Sequence, residues 1–326
     1  MHHTTSRYLI VILVAVATVT LLFSNVALAQ QNYPNKPITM IVPFNAGGAV
    51  DVTIRIICEE AEKTLGQKIL VINKAGGGAT EGQGFVARSK PDGYALLAGS
   101  SSLVTNTLTK EVDYTVGSFD AIVLYNFDPE VMFVYAGEPY KSIEELIDHT
   151  KKEPLTSATS GHSTSHHLAS LILENISGAK FKYIHTKGGT EAVPMVAGGH
   201  AKVLLGVWGE SRNMVDQGKL RPLAVMSKMR DPRFAEVPTF KEKGWDIEYG
   251  AWRGIVAPKG TPPDIREKLF QAFKKALESS QVKEKFAKAD YTIMIKGPND
   301  FESFLKNDYE GVKKILDQLK AESSKQ

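Results

Sequence analysis

The chain has 326 residues, 43% of them hydrophobic and 23% charged, with 27 glycines and 15 prolines, a globular balance that excludes disordered, collagen-like and low-complexity architectures. The formal charge is +3 and the basic residues are scattered, so no nucleic-acid partner is expected. A single cysteine, Cys58, excludes an internal disulfide and every CxxC redox or zinc pattern.

The N-terminus reads as a secretory leader. Met1 to Arg7 carries one fixed positive charge, an uncharged apolar run follows from Tyr8 to Phe23, and Ala27-Leu28-Ala29 is a small-x-small cleavage site. The run is short for a membrane span of ~20 residues, so residues 1–29 are expected to be removed after Ala29 and the rest exported. No cysteine follows the run to carry a lipid anchor. Without disulfides the exported chain must rely on its hydrophobic core, and Cys58, in the helical spacing Ile54-Ile57-Cys58-Ala61-Leu65, is expected within it.

From residue 38 the pattern alternates. Apolar runs at 38–42, 68–72, 94–98 and 121–125 read as strands, and helices are expected over about 51–65 and through 85–87. Ser142-Ile143-Glu144-Glu145 is a capping box opening another helix. Strands at 155–158, 180–185, 201–207 and 220–226 then alternate with helices near 165–176, 190–197 and 210–217, without any sequence repeat. Strands buried on both faces and separated by helices define an α/β fold with parallel strands. A strand over 252–258 precedes two amphipathic helices, one carrying Ile265, Leu269, Phe273 and Leu277, the other Phe301, Leu305, Val312 and Ile315. This tail has no sheet of its own. It is expected to return to the first sheet, making the first domain discontinuous.

Two glycine-rich strand-to-helix loops, Pro43 to Asp51 and Lys74 to Thr80, suit a carboxylate or phosphate held by main-chain N–H groups at a helix N-terminus. Either alone could be a tight turn; together they should converge at the carboxyl edge of one sheet. Thr159 to His167, rich in hydroxyls, and Lys187-Gly188-Gly189-Thr190 are similar loops in the second unit. Trp208 could be a stacking wall or rim packing. No GxxxxGK[ST] or GxSxG occurs, and Gly82-Gln83-Gly84-Phe85-Val86-Ala87 matches GxGxxA in the wrong place, inside the helix after the loop. His162 and His166 lack a third metal ligand nearby, so no metal or cofactor is implied and no catalytic residues are assigned.

Tyr33-Pro34-Asn35-Lys36-Pro37-Ile38, the loop 43–51, Val71-Ile72-Asn73-Lys74, Lys90-Pro91-Asp92-Gly93-Tyr94, Lys187-Gly188-Gly189, Gly218 to Val225, Val237-Pro238-Thr239 and Ala257 to Pro262 follow one another along the chain. In that order they resemble the solute receptors of tripartite tricarboxylate transporters, the TctC or Bug family. The resemblance implies a type II-like periplasmic-binding-protein fold with two crossovers and a ligand cleft between two domains, residues 30–130 plus 254–326 and residues 131–253. It implies a periplasmic receptor, not an enzyme, that hands a small carboxylate to membrane permease subunits; nothing in the sequence demands an oligomer, so a monomer is expected.

Carried over, the ligand would meet Phe44, Ala46, Gly47 and Gly48, with Asp51 organising the turn, and Gly78, Ala79 and Thr80 of the second loop. From the other domain it would meet Ser160, Gly161, Ser163 and Ser165, with Lys187, Gly188 and Trp208. Ala75-Gly76-Gly77-Gly78-Ala79 and Ile184-His185-Thr186 depart from the family pattern, so the identity of the ligand does not transfer. Glu210 could face an amino group on the ligand or be solvated. The alternatives are presentation of the ligand to a membrane sensor kinase, or an exported hydrolase using Ser163 with His166 or His167.

Overall fold

The computed structural model describes residues 33–323; the leader and its cleavage site lie outside them. Strand β1 (Ile38–Val42) pairs in parallel with β2 (Ile69–Asn73) and β3 (Ala95–Ser100). Helix α1 (Ala49–Leu65) joins β1 to β2 and buries Ile54, Ile57, Cys58 and Ala61 against that sheet. It stops at Gly66, whose left-handed φ of 68° lets its N–H close on the Glu62 carbonyl. Burial raises the pKa of the Cys58 thiol, so it is an inert core group. Helices α2 (Thr80–Ala87) and α3 (Ser102–Thr109) follow β2 and β3.

The 17-residue strand β4 (Phe119–Tyr135) joins the two halves of the molecule. From Phe119 to Pro129 it runs antiparallel to β9 (Gly250–Pro258); from Glu130 it pairs instead with β7 (Val203–Val207) and, from Val131, with β8 (Leu220–Val225). The chain returns beside this switch: Met226 N–H donates to Glu130 O (2.8 Å), Tyr249 N–H to Met226 O (3.1 Å) and Glu130 N–H to Tyr249 O (3.1 Å).

Between these crossings lie α4 (Ile143–Thr150), β5 (Leu155–Thr159), α5 (Ser165–Ser177), β6 (Phe181–His185), α6 (Gly189–Ala197) and α7 (Trp208–Asp216). The capping box is partly realised: Ser142 accepts the Glu145 N–H (3.2 Å), but Glu145 reaches back to the N–H of Lys141 (2.7 Å), not of Ser142.

Strand order exposes a symmetry absent from the sequence. The first half reads β2-β1-β3-β9-β4 and the second β6-β5-β7-β4-β8, each with its fourth strand antiparallel to both neighbours. Each antiparallel strand is a crossing segment. Helices α8 (Pro263–Glu278), α9 (Ser280–Lys288) and α10 (Pro298–Ser323) return to the first half. There Leu269, Phe273 and Leu277 pack with Ile54 and Ile57, while Phe301 meets Trp252 edge-on at 5.6 Å.

Candidate functional site

A cleft opens between the halves. Its walls are the carboxyl ends of strands and the starts of the helices that follow: Phe44, Gly48 and Ala49 before and in α1, Ser100 to Ser102 before and in α3, Ser160, Thr164 and Ser165 at α5, and Gly188 to Thr190 at α6. No side chain caps the N-terminus of any of these four helices. Elsewhere α4 and α9 are capped by Ser142 and Ser279, whereas α2, α7 and α8 also lack side-chain caps. Each open helix end offers unpaired N–H groups and roughly half a positive charge. Four such ends facing one space make it a strong anion attractor.

Asp51 builds the first loop. Its Oδ2 accepts Gly47 N–H (2.9 Å) and its Oδ1 accepts Arg55 (2.9 Å) and Asn73 (2.9 Å), while Asn73 also bonds the Phe44 carbonyl (3.0 Å). Burial works to raise this carboxyl's pKa, but the hydrogen bonds outweigh it and the net shift is downward. Gly47 takes a φ of 83°, open to glycine without strain.

The second loop runs through positive φ at Gly77, Gly78 and Ala79, and its carbonyls are taken by α3: Asn106 donates to Gly78 O (2.8 Å) and Lys110 to Gly77 O (2.7 Å). It lines an adjoining cavity with Lys110, Gly161, His162, Thr186 and Lys187. Phe44, Asn45 and Ser160 belong to both spaces.

The predicted residues therefore divide. Phe44, Gly48, Ser160, Ser165 and Gly188 line the main cleft; Gly78, Ala79, Gly161 and Lys187 line the adjoining one. Asp51 and Gly47 shape the first loop from behind, Ala46 lies within that loop, and the Thr80 hydroxyl turns to Gly77 O (3.3 Å). Trp208 is not on the wall: it is buried in the second half, stacked on Phe234 at 4.2 Å between ring centroids.

Ser163 is also turned away. Its carbonyl accepts from Thr105 and its hydroxyl from Thr109 (2.6 Å), while the hydroxyl also contacts His162 Nδ1 at 2.7 Å. The hydroxyl thus meets neither His166 nor His167, the partners a hydrolase reading would need. His162 and His166 diverge as well. His162 packs against His167 and His185 at ring distances of 4.9 and 5.2 Å, whereas His166 lies beside Glu130 and Glu210 on the cleft floor.

Sequence reasoning missed Ser100 to Ser102 and Arg253. The serines end a strand and open a helix, the same signal that singled out the other loops, but α3 is rich in threonine and did not read as helical. Arg253 sits in an apolar strand and is buried, held by Asn126 and by Asp128 at 3.1 Å. Asp128 also meets Arg233 at 3.4 Å, so a network of paired charges braces the crossing strands.

Two α/β halves joined through crossing strands, with a cleft lined by helix N-termini from both, define a periplasmic solute-binding protein fold. The chain belongs to the tripartite tricarboxylate transporter receptor family, TctC, which it matches over residues 53–320. It is 32% identical over 295 residues to a Cupriavidus necator protein described as "UPF0065 protein in gbd 5'region", covering 88% of both chains. A TctC solute-binding protein from Polaromonas is similar at 31% identity and a TM-score of 0.70, with 88% of this chain and all of that one covered. MatC from Rhodopseudomonas palustris, solved with bound malate, is similar at 25% identity and a TM-score of 0.82, over 87% of this chain and 100% of its own.

Proposed function

We propose that this protein is an exported receptor that captures a small carboxylate between two domains, residues 30–130 with 254–326 and residues 131–253. It then delivers the carboxylate to the membrane permease subunits of a tripartite tricarboxylate transporter. On this reading the leader is cleaved after Ala29 and the mature protein works in the periplasm as a monomer. One observation carries the carboxylate reading: four helix N-termini without side-chain caps face a single cleft. Main-chain N–H groups at helix ends suit an anion that must be released again, because they attract it with partial charges rather than a direct ion pair. The malate in MatC, a similar protein, is a small organic acid of that class.

The carboxylate would sit at Phe44, Gly48 and Ser100 to Ser102 on one wall and at Ser160, Ser165 and Gly188 on the other. Closing would bring the walls together and exclude water. A thermal-shift panel of small mono-, di- and tricarboxylates on ligand-stripped protein tests this. A ligand at a hundredfold its Kd should stabilise by about 2.7 kcal/mol, about 2–4 °C per kcal/mol for a chain of this size. A flat panel over a clean unfolding transition would remove the carboxylate reading. Pull-down of the two permease subunits from membranes of the source cell tests delivery; failure to retain them in both liganded and unliganded states would remove it.

A further inference from the structure

The cleft floor holds more acceptors than donors. Glu210 lines the cleft, its side chain 13% exposed, and its Oε2 is buried without a hydrogen-bond partner. Behind it Glu130 is wholly buried; Ser165 is near, yet neither oxygen receives a well-formed hydrogen bond. Between them stands His166, 4% exposed, with Nε2 at 3.9 Å from one oxygen of each glutamate and Nδ1 unpartnered. A distance of 3.9 Å is about an ångström longer than a hydrogen bond. One ring N–H can approach only one of the two carboxylates. Buried polar atoms without partners are costly and rare, so these four around one point require a chemical reason.

Arg253, the other charged group on this floor, commits its Nη1 to Asn126 and Asp128; its charge acts on both glutamates, but its Nε is itself unpartnered and donates to neither. Glu210 is also held in place. A Cβ on Gly189 would lie 2.1 Å from Glu210 Oε2, so the glycine leaves the room that the carboxylate occupies.

We propose that Glu210 and His166, backed by Glu130, form a subsite for a positively charged N–H donor, and that the ligand is a small amino acid-like zwitterion. This rests on the carboxylate-receptor reading above. The ligand carboxylate lies at the open helix ends and its ammonium at Glu210. An ammonium brings three donors and one positive charge. It satisfies Glu210 directly and leaves the His166 N–H for Glu130. A second ligand carboxylate at the same place would instead face the Glu210 charge in a poorly solvated floor.

Calorimetric titration of ligand-stripped protein with matched pairs tests this: succinate and aspartate, glutarate and glutamate, propionate and β-alanine, butyrate and 4-aminobutyrate. At least one amino member should bind about tenfold or more tighter than its deaminated partner, the scale of one charge-assisted hydrogen bond. Glu210→Gln keeps the shape and removes the charge; Gly189→Ala keeps the charge and displaces it. Each should shrink that preference to about threefold or less. Deaminated members binding as tightly as the amino ones, or a preference that survives both substitutions, overturns the subsite alone. No binding by any carboxylate overturns it together with the receptor reading.

Discussion

His167 is buried at the rim of the second half, where desolvation and like charge act in the same direction. Burial first, then His185, His162 and Lys110, lower its pKa to about 3. Tyr183 packs edge-on at 4.8 Å and gives its hydroxyl proton to Glu174 (2.7 Å), so it offers no compensating charge. The folded pKa lies below the unfolded value of 6.5, so the unfolded chain takes up the proton first. The contribution of this group is complete above the unfolded pKa and is lost as pH falls from 6.5 toward about 3. Between pH 7 and pH 5 that amounts to about 2 kcal/mol. Urea titrations at the two pH values should show this loss, and His167→Gln should remove most of it; an identical pH dependence in the variant would exclude His167 as the source.

Asp51 is a second residue whose effect is local and large. Asp51→Ala would leave the Gly47 N–H, Arg55 and Asn73 without their shared acceptor. The expected loss is about 1–3 kcal/mol of stability, with weaker ligand binding as the first loop relaxes. Full affinity in a folded Asp51→Ala protein would mean the loop holds its shape without this carboxylate.

Among the elements, α2 shows how packing displaces a motif reading. Gly82 and Gly84 spell a nucleotide fingerprint by letter but lie inside the helix. Gly82 is needed for close approach: a Cβ there would stand 2.8 Å from Pro43 Cβ and 2.9 Å from the Lys74 carbonyl oxygen. Gly82→Ala should therefore push α2 away from both glycine-rich loops and cost about 1–3 kcal/mol. Chemical denaturation checks this, and a gain in stability, as expected for an ordinary helical glycine, would show that the loops yield freely.

The parallel strands and the loops after them were legible because such strands are nearly continuous apolar runs bounded by glycine. The second half of β4 was not. The apolar run reads as ending at 125, yet the strand continues through Asn126, Asp128 and Glu130, all three buried at the crossing. The amide of Asn126 and the carboxylate of Asp128 are satisfied by residues distant in sequence, such as Arg253 and Thr292, which no local pattern can register. Trp208 misled for the converse reason. An aromatic at a strand end suggests a ligand wall, but Phe133 and Phe234 occupy both sides of it.

Across the whole molecule, the two halves meet through direct side-chain contacts beside the cleft. Lys110 of α3 donates to Gly77 O in its own half (2.7 Å) and to His162 O in the other (3.2 Å), while Thr105 and Thr109 bond Ser163. Burial lowers the Lys110 pKa, although the ammonium keeps two carbonyl partners. The Ser163 backbone takes a φ of 62°, uncommon outside glycine, while Thr105 and Thr109 hold its carbonyl and hydroxyl. These bonds act as a latch beside the cleft rather than as ligand contacts.

A receptor that opens to load must break the latch, so weakening it should favour the open form. Each net hydrogen bond contributes about 0.5–1.5 kcal/mol. Lys110→Met with Thr109→Val removes the Lys110 and Thr109 bonds across the interface and should weaken ligand binding by about tenfold or more. The unliganded double variant should also show a larger radius of gyration by small-angle X-ray scattering than the parent chain. Ligand should restore the compact value in both proteins, because binding between the walls supplies the contacts that the latch lost. Equal affinity and equal dimensions in parent and variant would mean that the halves are held by the crossing strands alone, with α3 contributing nothing to closure.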